Sequence, residues 1–249
     1  MERGRRTTVS TFYLEGALEP GATAELAEAA AHHARVKRLG VGDAIRLGNG
    51  AGRLADGTIT RVGRASVAVS VGTVHDVAPP TPLALYAPVG DRERMLWLAE
   101  KATELAITEW HPVMFQRSRS VSPRGEGEAF AAKVRARMIS ALEQSDGGWL
   151  PTMFREIDVR EAAAVQGTHA RYLLDAGGGR FDPSPGARGA AVILGPEGGM
   201  EPAEREMLIA GGWRPAALAA TILRFETAGI AALAIVRAAH TPLAEGTDG

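Results

Sequence analysis

The spacing of apolar residues along the chain changes character once. Glu25 to Leu39 is alanine-rich with helical spacing and predicts a short helix. From Ala44 to Val71 apolar and polar residues alternate, broken by Gly48, Gly50, Gly52, Gly57 and Gly63, as in the short strands of a small β-barrel. The stretch Val77-Ala78-Pro79-Pro80-Thr81-Pro82 sustains neither a helix nor a central strand and marks a linker. Beyond it, apolar runs alternate with longer helical segments. Strands are expected at Leu83–Pro88, Trp110–Phe115, Ala170–Leu174 and Ala190–Leu194. Helices are expected at Arg92–Leu105, Ala129–Gln144, Pro202–Ala210 and Thr227–His240. That alternation predicts an α/β domain with a largely parallel sheet. The domains are expected at residues 1–78 and 79–249, with Gly246 to Gly249 as a loose tail.

Composition narrows the chemistry. With 249 residues, 45% hydrophobic and 23% charged, the chain is long enough to bury a sizeable core. It contains no cysteine, which removes disulfides, thiolate nucleophiles and cysteine-bound zinc. The six histidines lack metal-ligand spacing, the pair His32-His33 being adjacent, so no metal is expected. No apolar run is long enough to span a bilayer, and Met1 to Thr8 is basic without the apolar stretch of a secretory signal, so a cytoplasmic location is expected. The net charge of −1 is carried unevenly. Between Val113 and Arg137 there are six basic residues (Arg117, Arg119, Arg124, Lys133, Arg135, Arg137) and two acidic ones, a local surplus suited to a polyanion.

Two segments carry candidate chemistry. Val192-Ile193-Leu194-Gly195-Pro196-Glu197-Gly198-Gly199 is an apolar strand running into a glycine-rich turn ahead of a helix. In open α/β sheets such strand ends bind ligands, because glycine lets a ligand approach the backbone; the same residues also fit a plain tight turn with positive-φ glycines. The second, Thr221-Ile222-Leu223-Arg224-Phe225-Glu226-Thr227, joins a strand to the final helix. It puts Arg224 and Glu226 at a junction where they can meet a ligand or pair with each other, with Thr227 as the cap. Ala176-Gly177-Gly178-Gly179-Arg180 lacks dinucleotide spacing, and neither a phosphate-binding P-loop nor a serine-hydrolase elbow is present.

Together, Gly195-Pro196-Glu197-Gly198-Gly199 and Ile222-Leu223-Arg224-Phe225-Glu226-Thr227-Ala228 resemble the RsmE family of 16S rRNA uridine N3-methyltransferases, of the SPOUT superfamily. Three further blocks match in order: His32 with Val36, Arg38, Gly42 and Asp43; Lys101-Ala102-Thr103-Glu104-Leu105; and Glu143-Gln144-Ser145. The chain departs from the family at Phe225, Ala219, Ser140 and Gly147.

The resemblance implies a PUA-like RNA-binding barrel and a SPOUT α/β domain with a trefoil knot, working as a homodimer on 16S rRNA or the small ribosomal subunit with S-adenosyl-L-methionine (SAM). It implies a cofactor pocket from Leu194, Gly195, Glu197, Gly198, Gly199, Leu218, Ile222, Leu223 and Thr227. Arg224 would stabilise the uracil oxygens or orient a phosphate, while Glu226 would accept the N3 proton through water or hold Arg224. The phosphate contacts would be Arg35, Lys37, Arg38, Lys101, Arg117 and Arg119. A noncatalytic RNA-binding or ribosome-assembly factor on the same scaffold, and a SPOUT methyltransferase with another RNA target, are the alternatives.

Overall fold

The computed structural model describes residues 9–167, 169–183 and 188–240, apart from the side chains of residues 119 and 120. The basic start, Met1 to Thr8, and the tail at Gly246 to Gly249 lie outside the described residues. The chain divides into two compact units. One takes the chain up to Pro79 together with Ile139–Leu150; the other takes Pro80–Met138 and the chain from Pro151 onward.

The first unit is a PUA-like half-barrel. Its strands are β1 (Ser10–Tyr13), β2 (Thr23–Leu26), β3 (Ala44–Gly48), β4 (Arg53–Val62) and β5 (Val67–Asp76), in the order β1-β3-β4-β5-β2, with helix α1 at Glu28–Val36. The helix expected from Glu25 therefore begins later, and the residues before it form β2. There Ala24 and Leu26 are buried while Thr23 and Glu25 are exposed, and all four pair antiparallel with β5. Pairing with a distant strand overrides the helical preference of an alanine-rich stretch. The core is made by Phe12, Leu18, Leu26, Ile45, Leu47, Ile59, Val69 and their neighbours. Ile139–Leu150 closes this unit: Glu143 Oε1 accepts from the Tyr13 N–H at 2.8 Å, Asp146 accepts from the Thr11 hydroxyl, and Trp149 Nε1 donates to the Val77 carbonyl at 3.0 Å.

The second unit is built on a wholly parallel sheet. Its elements in chain order are β6 (Leu83–Pro88), α2 (Arg92–Glu104), β7 (Glu109–Met114), α3 (Glu128–Gln144, whose residues from Ile139 belong to the first unit), β8 (Thr152–Met153) and β9 (Ile157–Asp158). They continue with α4 (Val159–Ala164), β10 (Ala170–Arg180), β11 (Ala190–Leu194), α5 (Pro202–Ala210), β12 (Arg214–Ala217) and α6 (Phe225–His240). The strand order is β12-β10-β11-β6-β7-β8, with β9 beside β7. Every residue of β6 and of β11 is buried, because central strands of a parallel sheet are covered on both faces.

One face packs Tyr86, Phe115, Leu173 and Ile193 against α4, α5 and Trp213; α2 and α6 pack on each other, with α6 against β11 and β6. Gly229 permits that approach, since a Cβ there would stand 2.9 Å from side-chain carbons of both Leu194 and Leu98. Arg237 ties α6 to the end of α2, donating to the carbonyls of Leu105 at 3.0 Å and Thr81 at 2.8 Å.

Two details differ from the sequence expectations. Strand β10 continues past Leu174 through the glycine run, where a register shift between Leu174 and Gly179 lets it keep pairing with β12. Helix α6 begins at Phe225, so Thr227 is its third residue and not its cap.

Candidate functional site

Within the second unit a cavity of about 620 Å³ opens at the carboxyl ends of β11 and β12 and beside the middle of β10. Leu174, Asp175 and Ala176 come from β10, Leu194 from β11 and Ala216 and Ala217 from β12. The loop after β11 and the segment from Leu218 to Ala228 complete the wall. This is where an open parallel sheet leaves a crevice, and the size suits a nucleoside-sized ligand.

The glycine-rich loop is both a tight turn and a cavity wall. The Gly199 N–H donates to the Pro196 carbonyl at 2.8 Å, and Gly199 has φ +77°, which a β-branched residue adopts only with strain. Gly195, Pro196, Glu197 and Gly199 line the cavity. Gly198 faces the other way, its Cβ position 3.1 Å from the Arg117 side chain. Helix α5 follows at once, its start fixed by Pro202 and by a capping box between Glu201 and Glu204. The loop is fastened from outside as well. Arg117 Nη1 donates to the Gly198 carbonyl at 2.6 Å and Nε to Glu201 at 2.8 Å, while Glu197 Oε1 accepts from the Asp91 N–H at 3.1 Å.

Of the residues expected at a cofactor pocket, Leu194, Gly195, Glu197, Gly199, Leu218, Ile222 and Leu223 line this cavity, whereas Gly198 and the exposed Thr227 do not. Ile222 is 92% exposed at its rim.

Arg224 lines the cavity with an exposed side chain. Glu226 is 6% exposed, does not line the cavity, and has Arg94 Nε 3.9 Å from its Oε1; its Oε2 has no hydrogen-bond partner among the described residues. Arg94, and not Arg224, is thus the cation facing Glu226.

The expected phosphate contacts are dispersed. Arg35 donates to the Arg64 carbonyl at 2.6 Å and Lys37 to the Ser10 hydroxyl at 3.2 Å, while Arg38 sits exposed at φ 57°. Lys101 lies between Glu104 and Glu100 at 2.7 and 2.9 Å, and these hydrogen bonds raise its pKa. Arg117 braces the glycine loop. The Arg119 side chain lies outside the described residues.

Sequence reasoning missed Arg94, Asp175 and Arg205, all on the cavity wall. Asp175 accepts from Arg205 Nε and from the Gly177 N–H at 2.8 Å. Burial pushes its pKa up, but these donors outweigh burial and leave it below the ordinary carboxylate value. A signal for Arg94 existed. It stands in the first turn of α2, just after the Asp91 cap, where the helix dipole disfavours a cation, so a basic residue there calls for another explanation.

Residues 78–237 match the family model described as the RNA methyltransferase domain, and residues 26–71 the one described as the RNA methyltransferase PUA domain. A Mycobacterium tuberculosis protein named ribosomal RNA small subunit methyltransferase E is 28% identical over 241 residues, covering 90% of each chain. The Synechocystis protein of the same name is 27% identical over 228 residues, covering 87% of this chain and 73% of that one. Among solved structures, ribosomal RNA small subunit methyltransferase E from Neisseria gonorrhoeae bound to S-adenosyl methionine superposes with a TM-score of 0.80 at 26% identity, covering 92% of this chain and 97% of that one. A Legionella pneumophila protein in complex with SAM gives the same TM-score and identity over 93% and 98%.

Proposed function

As this chain belongs to the RNA methyltransferase family, we propose that it transfers a methyl group from SAM to N3 of a uridine in 16S rRNA. The observation that carries this reading is the cavity itself: its wall is mostly glycine and apolar residues, many from the glycine loop and from Leu218 to Leu223, at parallel strands. Such a wall can grip an adenosine by shape and main-chain polar groups while leaving one mouth for a base. The relatives' name and the SAM held by two similar structures agree with it.

Bound there, SAM supplies an electrophilic methyl on a sulfonium. The protein's task is alignment, because in-line displacement needs nucleophile, methyl and sulfur held at near-attack distance. The loop braced by Arg117 and Glu197 fixes one wall of that alignment. Uracil N3 is protonated at neutral pH, so its proton must leave and charge developing on the ring must be stabilised. Arg224, exposed on the rim, meets the target nucleotide's phosphate as it enters. The first unit supplies further phosphate contacts through Arg35, Lys37 and Arg38.

The chain works as a homodimer in the cytoplasm in this reading. Trp97 on α2 and Ile235 on α6 are 46% and 42% exposed on two helices that pack together, and a second copy would cover such side chains. No helix among the described residues is long and apolar enough to cross a membrane.

The decisive experiment pairs calorimetric SAM binding with methylation of small subunits from a strain lacking the enzyme, followed by mapping of the modified base. Micromolar binding, on the order of −8 kcal/mol, and one new methyl on uridine N3 are expected. SAM binding with no transfer to any RNA would favour the noncatalytic alternative. A methyl on another base or in another RNA would favour the related enzyme with a different target.

A further inference from the structure

Glu226 presents an anomaly that the proposed function leaves open. A carboxylate 6% exposed, with one oxygen unpartnered among the described residues and a cation 3.9 Å from the other, is a costly arrangement for a fold to keep without use. Arg94 is the other half of the anomaly. Its guanidinium makes no hydrogen bond among the described residues, it stands against the dipole at the start of α2, and it is two-thirds buried on the cavity wall. Its first-turn neighbour Arg92 is explained differently, since it lies over the Phe130 ring with its guanidinium carbon 5.4 Å from the centroid.

We propose that Arg94 is a catalytic residue that binds the carbonyl oxygens flanking the reacting nitrogen of the target uracil, and that Glu226 is a positioning residue that holds Arg94 there. This rests on the methyltransferase reading. Of the three arginines on the cavity wall, Arg205 is paired with Asp175, and the other two differ in exposure. Arg224 is exposed, as suits a contact with an RNA backbone, whereas Arg94 is two-thirds buried in the wall, where a flipped base can meet it.

The chemistry needs such a cation. Uracil N3 gives its proton to water, and the charge left behind spreads onto O2 and O4. N3 then bonds to the methyl carbon as the carbon–sulfur pair returns to sulfur. A planar guanidinium with free N–H groups stabilises the charged oxygens most strongly where water is excluded. Glu226 contributes by fixing the guanidinium's orientation from behind and by limiting the cost of burying that cation next to a helix N-terminus.

The test uses full-length protein and small subunits lacking the modification. Arg94→Gln should leave calorimetric SAM affinity within about twofold of native while lowering kcat roughly 10²-fold with little change in KM for the subunit. Arg94→Lys should restore part of the rate. Subunits carrying 5-fluorouridine, whose N3 is more acidic, should lose less rate in the variant than ordinary subunits do. Glu226→Gln should lower kcat less than Arg94→Gln and add no further loss to it.

Several results would overturn the assignment. Loss of SAM affinity in Arg94→Gln would place the guanidinium on the cofactor's carboxylate. A raised KM at native kcat would place it on a phosphate. Native kinetics would leave it no role. If the native protein itself methylates no RNA, the proposed function falls and this assignment with it; if the native protein methylates N3 and Arg94→Gln does so equally well, only this assignment falls.

Discussion

The carboxylate of Glu197 occupies the space that a side chain on Gly90 would need: a Cβ at residue 90 would stand 2.7 Å from Glu197 Oε2, while Oε1 accepts the N–H of Asp91 at 3.1 Å. The glycine-rich loop after β11 is thereby latched to the turn between β6 and α2. Gly90→Ala pushes the carboxylate off that amide without touching the core. We expect its thermal midpoint to stay close to native while SAM affinity falls up to about tenfold, measured by calorimetry. Unchanged affinity would mean that the latch does not shape the cavity.

Arg117 braces the same loop through the Gly198 carbonyl and Glu201. Arg117→Ala should therefore weaken SAM binding, and RNA affinity measured against salt should keep its native slope. A phosphate contact behaves the other way: its removal flattens the salt dependence by about one ion and leaves the cofactor alone.

Glu143 makes the stability of the first unit depend on pH. Burial pushes its carboxyl up, and the Tyr13 N–H and Lys37 only partly offset this. His33, 3.8 Å away, is shifted down chiefly by burial as well, so the contact favours two neutral groups over an ion pair. A carboxyl whose folded pKa lies above its unfolded one lends stability in full below the unfolded pKa and loses it as pH rises through the folded value. Glu143→Gln, which can still accept from Tyr13, should raise the thermal midpoint by a few degrees at neutral pH. The gain should vanish below about pH 4, where native Glu143 is protonated in both states. A gain that persists in acid would point to packing and not to charge.

The exposed apolar pair on α2 and α6 reads out assembly. Trp97→Glu should convert a dimer to a monomer in sedimentation at micromolar concentration, with far-UV dichroism unchanged. A native protein that sediments as a monomer would remove the dimer from the proposed function.

The sequence by itself determined whatever the chain decides over a few neighbouring residues. Leu83–Pro88 and Ala190–Leu194 are legible as central strands because burial on both faces demands an unbroken apolar run. Pro202–Ala210 is legible because a proline at the first helical position fixes a helix start locally. Seven of the nine residues expected at the cofactor pocket line the cavity, and its glycine loop was legible because a glycine turn after a buried strand is a local feature with a fixed place in a parallel sheet.

Tertiary structure decided the rest. Glu25 and Leu26 joined β2 and not the helix because β5 offered a partner, and Ile139–Leu150 joined the first unit because Tyr13, Thr11 and Val77 presented donors and an acceptor to it. Arg94 facing Glu226, like Glu197 filling the space beside Gly90, joins residues far apart along the chain. Such pairs leave no periodic trace in the sequence, because hydrophobic spacing records which face of an element is buried and not which polar group it meets there.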